Sequence, residues 1–140
     1  ALGCHETSEA AETETIGELL GKSLVAGDVV TLSGPLGSGK TTFAKGLARG
    51  LEITEDITSP TYSLVSQYHG GRLFFYHVDL YRISSHNQYT SLALDEILYG
   101  PWVTAVEWPE HASPLITDSI HTTFAVLPNG NHKICIDVTK

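Results

Sequence analysis

The sequence predicts a single α/β domain over residues 1–140, a three-layer fold whose mixed, mostly parallel sheet carries antiparallel hairpin additions. Three observations predict this fold. An apolar strand leads through a glycine-rich turn into a helix, two further apolar strands each end at an acidic residue, and glycine turns join neighbouring strands. With 140 residues and 41% hydrophobic content, the chain is long enough to bury one core.

The elements can be assigned in chain order. Over residues 8–25, apolar side chains recur at helical spacing, and glutamates near the start favour the helix dipole. A strand at 29–33 precedes the glycine-rich turn, and a helix runs from Lys40 to about Leu51. The remaining expected elements are strands at 63–68 and 73–78 around a His-Gly-Gly turn, a short helix at 92–98, a strand at 103–106 and a hairpin around 128–131.

The glycine-rich turn carries the strongest functional signal. It reads Gly34-Pro35-Leu36-Gly37-Ser38-Gly39-Lys40-Thr41 and is followed by Thr42. Glycines in such a loop allow positive φ angles, so that successive N–H groups can surround a phosphate at a helix N-terminus. We expect Lys40 to be exposed and to reach the β- and γ-phosphates, and Thr41 to ligate Mg²⁺. The pattern predicts a P-loop NTPase-type domain that binds its nucleotide through residues 35–42.

Two acidic residues lie where an enzyme of this kind needs them. Asp79 follows the strand at 73–78, and Glu107 follows the strand at 103–106. Open α/β sheets bind ligands at the carboxyl ends of their strands, and Mg²⁺ prefers oxygen ligands, so either carboxylate is a candidate for the metal. The alternatives are a turn or helix-cap role for Asp79 and a surface ion pair for Glu107.

Other polar and aromatic residues have less specific readings. Trp108 follows Glu107 and either borders the nucleotide or anchors packing. The seven histidines show no metal-ligand spacing, and we expect most of them to be solvated or singly hydrogen-bonded. Cys4 and Cys135 are far apart in the sequence, so we expect free thiols rather than a zinc site or a disulfide.

Charge and hydropathy bound the partners. Eight Lys and Arg residues against sixteen Asp and Glu residues give a formal net charge of −8, and the basic residues are scattered singly. Because nucleic-acid affinity depends on clustered cations, the chain alone should bind DNA or RNA poorly. The sequence has neither an apolar run of about 20 residues nor the start of a signal peptide, so we expect a cytoplasmic protein that does not enter a membrane.

Four sequence blocks together resemble a known family. The phosphate-binding loop is followed by Ser59-Pro60-Thr61-Tyr62, then His77-Val78-Asp79-Leu80-Tyr81-Arg82, then Val106-Glu107-Trp108-Pro109-Glu110. In this order they resemble the bacterial tRNA threonylcarbamoyladenosine biosynthesis family TsaE over about residues 7–110. The resemblance implies an ATPase, weak alone, that acts with the TsaD and TsaB proteins and meets tRNA only through them. The reaction it implies is threonylcarbamoyl transfer to N6 of the adenosine beside the anticodon, in tRNAs reading codons that begin with adenine.

The resemblance also implies roles for single residues. Thr41 and Glu107 match the family's magnesium-binding residues, Lys40 and the loop backbone its phosphate site, and Asp79 an acidic residue important for function. Lys40, Asp79 and Glu107 are therefore the predicted catalytic residues, with ATP or ADP and Mg²⁺ bound at the loop. The segment 59–62 resembles a switch, in which Thr61 would sense the γ-phosphate or its metal. The family usually has aspartate where this chain has Pro35.

Two other functions compete with an ATPase. A small-molecule P-loop kinase shares the loop and the size, but it clamps its acceptor with several arginines, and the sequence has only Arg49, Arg72 and Arg82. A nucleotide-gated binding module with little turnover would differ in kinetics rather than in fold. A GTPase is disfavoured because the guanine-reading Asn/Thr-Lys-x-Asp segment is missing from the sequence.

Overall fold

The computed structural model describes residues 2–55, 57, 65–81 and 94–139. The strands of this part of the chain are β1 (Gly3–Thr7), β2 (Val29–Ser33), β3 (Val65–Tyr68), β4 (Phe75–Asp79), β5 (Val103–Glu107), β6 (Ser119–Val126) and β7 (His132–Thr139). The helices are α1 (Ala10–Ser23), α2 (Lys40–Gly50), α3 (Leu94–Ile97) and a 3₁₀ helix over Pro109–Leu115. The predicted switch segment 59–62 and Arg82 lie outside the described residues.

The strands form one mixed sheet in the order β1-β7-β6-β2-β5-β4-β3. Parallel pairing occupies the centre, where β2 lies between β6 and β5, and β5 continues to β4. The pairs β1–β7, β7–β6 and β4–β3 are antiparallel. The predicted mixed sheet with hairpin additions is therefore confirmed: the β3–β4 hairpin lies at one edge, and the β6–β7 hairpin lies next to β1, which forms the other edge.

Side chains alternate between the two faces of the sheet and build a core on each. Val30 and Leu32 of β2 pack with α2 in the larger core, which also receives Leu20 of α1. Val29, one residue earlier in β2, faces the smaller core with Val106 and residues of α3 and the 3₁₀ helix. Helices thus cover both faces, which confirms the predicted three layers.

Four glycines let α1 and α2 pack against each other at very short range. Gly17 and Gly21 of α1 face Gly46 and Gly50 of α2, and each pair is spaced by four residues, so each lies on one face of its helix. A Cβ at Gly21 would lie 2.5 Å from the Leu47 carbonyl oxygen, and one at Gly46 would collide with the Glu14 carbonyl. The backbones of the two helices therefore touch where any side chain would hold them apart.

The first strand and its cysteine depart from the sequence-based expectation. No strand was predicted before α1, but β1 pairs antiparallel with β7 and places Cys4 directly opposite Cys135. The two residues form a disulfide, so the prediction of free thiols was wrong. The reason is the pairing of the two ends of the chain: a separation of 131 residues in sequence becomes adjacency across one ladder.

None of the helices in the described part of the chain combines the length and the hydropathy that a bilayer span requires.

Candidate functional site

The candidate site lies at the edge of the sheet where three parallel strands end. The phosphate-binding loop leaves β2 and enters α2 at Lys40. Asp79 and Glu107 are the last residues of β4 and β5 and pair with each other in register. Ligands of open α/β sheets bind at this edge, so the topology brings the predicted acidic residues to the loop.

The loop takes the conformation that its glycines permit. Gly37 has φ +75° and Gly39 has φ +104°, both in the left-handed region that residues with a Cβ disfavour. Ser38 is buried between them and closes the turn, since its N–H and its hydroxyl both donate to the Pro35 carbonyl, at 3.3 and 2.6 Å. Gly39 then serves as the N-cap of α2, which directs the positive end of the helix dipole at the loop.

A cavity of about 320 Å³ opens at this point, within the size range of small-molecule sites. Most residues of the predicted set line it: Leu36, Gly37, Ser38, Gly39, Lys40, Thr41, Thr42, Asp79, Glu107 and Trp108. Pro35 is not in the lining, and Thr61 lies outside the described residues. The structure adds Tyr81 and His132, which were not in the predicted set.

Lys40 is buried, with only 5% of its surface exposed, which corrects the expectation of an exposed lysine. Its Nζ donates to the carbonyls of Gly34 and Pro35, the latter at 3.1 Å, and lies 4.1 Å from the centre of a Trp108 ring. Burial lowers the pKa of the Lys40 amine, and the nearby carboxylates, first that of Glu107, oppose this change. The ammonium group therefore sits inside the loop, covered by an aromatic ring.

Glu107 is also buried, with 3% of its surface exposed. Its Oε2 accepts a hydrogen bond from His77 at 2.6 Å and one from the Thr41 hydroxyl at 3.4 Å. The alternative of a surface ion pair is therefore wrong, because Glu107 lies in the interior. The two residues predicted to share a metal, Thr41 and Glu107, are brought within hydrogen-bond distance of each other.

Asp79 is only half-buried, and its side chain takes part in a local turn. Its Oδ1 accepts the backbone N–H of Tyr81 at 3.0 Å, so the turn role considered from the sequence is present. Burial raises the pKa of the Asp79 carboxyl, and the Glu107 carboxylate raises it further, while the Tyr81 N–H opposes the rise. A carboxylate that faces the cavity in this way is a stronger proton acceptor than an ordinary aspartate.

Trp108 combines the two roles that the sequence left open. It lines the cavity over Lys40 and also packs against the smaller core. Its backbone has φ +60°, a left-handed conformation that is uncommon for a large side chain, and its N–H bonds to the Leu32 carbonyl. This sharp turn between β5 and the 3₁₀ helix holds the indole ring at the cavity.

His77 is the most consequential residue that sequence reasoning missed. It is fully buried, with 0% of its surface exposed, and it contacts Glu107. The signal was its spacing: His77 precedes Asp79 by two residues in a strand, which places both side chains on the face toward the loop. For His132 the sequence holds no local signal, because it reaches Gly39 only through the pairing of β7 in the sheet.

The donor set fits a hard cation beside phosphates. Thr41 and Glu107 offer a hydroxyl and a carboxylate oxygen, the ligand chemistry that Mg²⁺ prefers when substrate phosphates and water complete its shell. The loop leaves room for the phosphates because Gly39 has no side chain. A Cβ at this position would lie 3.2 Å from His132 Nδ1 and would narrow the cavity.

Comparison with known proteins identifies the family of this chain. A family model described as threonylcarbamoyl adenosine biosynthesis protein TsaE matches residues 7–134. The chain belongs to the TsaE family. Its relatives include the tRNA threonylcarbamoyladenosine biosynthesis protein TsaE of Treponema pallidum, which is 43% identical over 91% of this chain and 94% of the relative.

Further TsaE proteins extend the likeness. That of Bacillus subtilis is 35% identical over 96% of this chain and 92% of its own length. Among solved structures, the crystal structure of Bacillus subtilis YdiB superposes with a TM-score of 0.84 at 30% identity, covering 98% of this chain and 85% of YdiB. The similarity to TsaE proteins therefore spans nearly the whole chain, including β1 and the terminal hairpin, where the sequence blocks gave no signal.

Proposed function

We propose that this TsaE-family chain is a Mg²⁺-dependent ATPase of tRNA threonylcarbamoyladenosine formation, weak alone, which acts with the TsaD and TsaB proteins. The observation that carries the proposal is the meeting of Lys40, Thr41 and Glu107 at one cavity, at the N-terminus of α2. The family name supports the tRNA modification, since its relatives are named for that biosynthesis.

The loop would bind the phosphates of ATP or ADP. Backbone N–H groups around Gly37 and Gly39 and the dipole of α2 attract anions without any side-chain movement. Lys40 already lies in the loop, held by two carbonyls, and can exchange those contacts for phosphate oxygens of greater charge. The geometry thus supports a site in which the Lys40 amine already lies close to the position from which it would contact the phosphates.

Thr41 and Glu107 would hold the metal, and Asp79 would act on the water. A Mg²⁺ ion at these oxygens supplies positive charge that offsets the negative charge developing on the transferred phosphoryl group. Asp79 pairs in register with Glu107 and its pKa is raised by burial, so it is suited to orient the attacking water and accept its proton. These three residues divide the work between binding the nucleotide and cleaving it.

The charge of the chain supports indirect contact with tRNA. The net charge of −8 and the scattered basic residues favour recognition of tRNA by partner proteins rather than by this chain.

The arginine contacts argue against a kinase. In the part of the chain that the structure describes, Arg72 donates to the carbonyls that end α1, and Arg49 pairs with Glu14. Because both guanidinium groups are engaged elsewhere, they do not serve the cavity as a kinase's acceptor clamp would require.

The proposal is tested by ATP turnover of the purified chain with Mg²⁺, alone and after addition of TsaB and TsaD. We expect slow hydrolysis alone, a clear increase with the partners, and preference for ATP over GTP in a binding competition. Phosphoryl transfer to a small acceptor would favour the kinase, and tight binding with no turnover in any mixture would favour the nucleotide-gated module.

A second measurement addresses the tRNA. The isolated chain should bind tRNA non-specifically, with a dissociation constant on the order of 10⁻⁴ M or weaker at physiological salt. Tight, salt-sensitive tRNA binding by the chain alone would count against a role through partners.

A further inference from the structure

A buried histidine touches the proposed metal ligand directly. Nε2 of His77 lies 2.6 Å from Oε2 of Glu107; His77 is fully buried, and Glu107, which lines the cavity, has only 3% of its surface exposed. Phe75 stacks on the imidazole with ring centres 6.3 Å apart and planes inclined by 16°, which limits rotation of the ring. The contact is therefore a fixed part of the interior.

The hydrogen of this contact can be assigned to one nitrogen. An ionised carboxylate only accepts hydrogen bonds, so Nε2 of His77 must donate to Glu107. Nδ1 is buried and has no hydrogen-bond partner among the residues that the structure describes. A hydrogen on Nδ1 would leave a buried donor unsatisfied, so the imidazole carries its hydrogen on Nε2.

The same carboxylate oxygen also meets Thr41, and the two bonds differ in length. Thr41 Oγ1 lies 3.4 Å from Oε2 of Glu107, at the limit of a hydrogen bond, whereas Nε2 of His77 lies only 2.6 Å from the same oxygen. His77 therefore sets the orientation of the carboxylate much more firmly than Thr41 does.

We propose that His77 is a positioning residue that orients Glu107 for Mg²⁺, an inference that rests on the proposed function. Hydrogen bonds from neighbouring side chains fix the direction of a metal-binding carboxylate, and losing them typically costs 10- to 100-fold in metal affinity. His77 acts through Glu107. Its loss should therefore weaken the dependence on Mg²⁺ and leave metal-free nucleotide binding nearly intact.

Three variants separate this role from simple packing. His77→Phe keeps a planar ring against Phe75 but removes the donor. His77→Gln keeps an amide donor at about the position of Nε2. Thr104→Val is the matched control, because Thr104 lies on β5 and its buried hydroxyl has no partner among the described residues, so its loss leaves Glu107 untouched.

The measurement is binding of a fluorescent ATP analogue, titrated with Mg²⁺ and repeated in EDTA. For His77→Phe we expect the half-maximal Mg²⁺ concentration to rise about 10- to 100-fold, with affinity in EDTA within about twofold of wild type. His77→Gln should recover most of the Mg²⁺ response, and Thr104→Val should behave like wild type.

Other outcomes overturn the inference in distinguishable ways. If wild-type binding depends on Mg²⁺ and His77→Phe leaves that dependence unchanged, His77 does not position Glu107. If His77→Phe weakens binding equally in Mg²⁺ and in EDTA, its role is structural. If the wild-type protein itself binds ATP without regard to Mg²⁺, the proposed function fails, and the inference fails with it.

A spectroscopic test remains where His77→Phe does not fold. In the ¹⁵N-labelled wild-type protein, the His77 ring should show a protonated Nε2 and an unprotonated Nδ1, with a signal that shifts when Mg²⁺ and ATP are added. The opposite tautomer, or a signal indifferent to Mg²⁺ in the presence of ATP, would overturn the proposal.

Discussion

The glycines of the helix interface and those of the phosphate-binding loop are close in the sequence but serve opposite purposes. Gly46 and Gly50 have ordinary helical backbones and are required because the backbone of α1 occupies the space of a side chain. Gly37 has nothing within 4 Å of its Cβ position and is required because its φ is +75°. One set is dictated by a neighbour, the other by its own conformation, so the first determines stability and the second the shape of a ligand site.

The largest effect should come from the helix interface. Replacing Gly46 and Gly50 together by alanine places two methyl groups against the α1 backbone, and overpacking typically costs about 1–3 kcal/mol per site, so we expect a loss of about 2–6 kcal/mol. Urea denaturation measures this loss in the free energy of unfolding. Lys45→Ala, a substitution at an exposed position of α2, serves as the control. An unchanged midpoint would mean that the helices can separate without cost.

Lys40→Ala should weaken ATP binding strongly and change stability little, the opposite of what we expect for the helix interface. We expect ATP affinity to fall about 100-fold, equivalent to about 2.7 kcal/mol, because a charged donor to the phosphates is lost. Stability should change by less than about 1 kcal/mol, since the two carbonyl bonds lost are offset by removal of a buried charge. Calorimetric titration with ATP and urea denaturation test both halves, and normal ATP binding by the folded variant would refute the site.

Gly37 tests whether the loop glycine is conformational. Gly37→Ala should cost about 1–2 kcal/mol of folding free energy, the typical penalty for a side chain in the left-handed region. Gly37→Asn should cost less, because asparagine tolerates this region. Equal losses in the two variants, measured by thermal unfolding, would show that space rather than φ limits this position and would merge the two glycine classes.

Asp79→Asn should change stability least of these variants. We expect it to raise stability and to lower activity, the combination typical of replacing a functional residue. Because burial raises the folded-state pKa of Asp79 above the reference value of 3.8, the folded protein binds more protons than the unfolded one between these pKa values. Stability therefore falls as pH rises through the folded pKa. Asp79→Asn should stabilise the metal-free protein at pH 7, by less than about 1 kcal/mol because water screens the half-exposed carboxylate, while lowering ATP turnover.

The pH dependence provides the control for that prediction. The advantage of Asp79→Asn should shrink as pH is lowered through the raised pKa of Asp79, because the wild-type carboxyl then takes up a proton and loses its buried charge. An advantage that is constant with pH would indicate a cause other than the charge of Asp79.

The comparison also explains which parts were predictable from the sequence. The loop was predicted because its requirement is local: each glycine answers to its own φ, and the motif contains the whole signal. Asp79 and Glu107 were predicted to lie together because strand ends share an edge. The glycines of α1 and α2 were overlooked because they read as weak helix formers until the partner helix is present.

Other features escaped prediction for the same reason. Burial of Lys40 depends on Trp108, which reaches it from the turn after β5, and the contact between His77 and Glu107 spans two strands. β1 shows no clear apolar alternation, and its partner β7 lies at the far end of the chain. Interactions of high sequence separation therefore determined what the motif alone did not reveal.

The bond between Cys4 and Cys135 has a consequence for the unfolded chain. Because the two residues are 131 positions apart, the disulfide closes residues 4–135 into a single ring. In the chain-entropy description, a ring of this size restricts the denatured ensemble enough to favour the folded state by about 5 kcal/mol. Reduction would leave every native contact except the sulfur bridge in place and yet release this restriction, so resistance of the protein to unfolding would depend on the thiol chemistry of its surroundings.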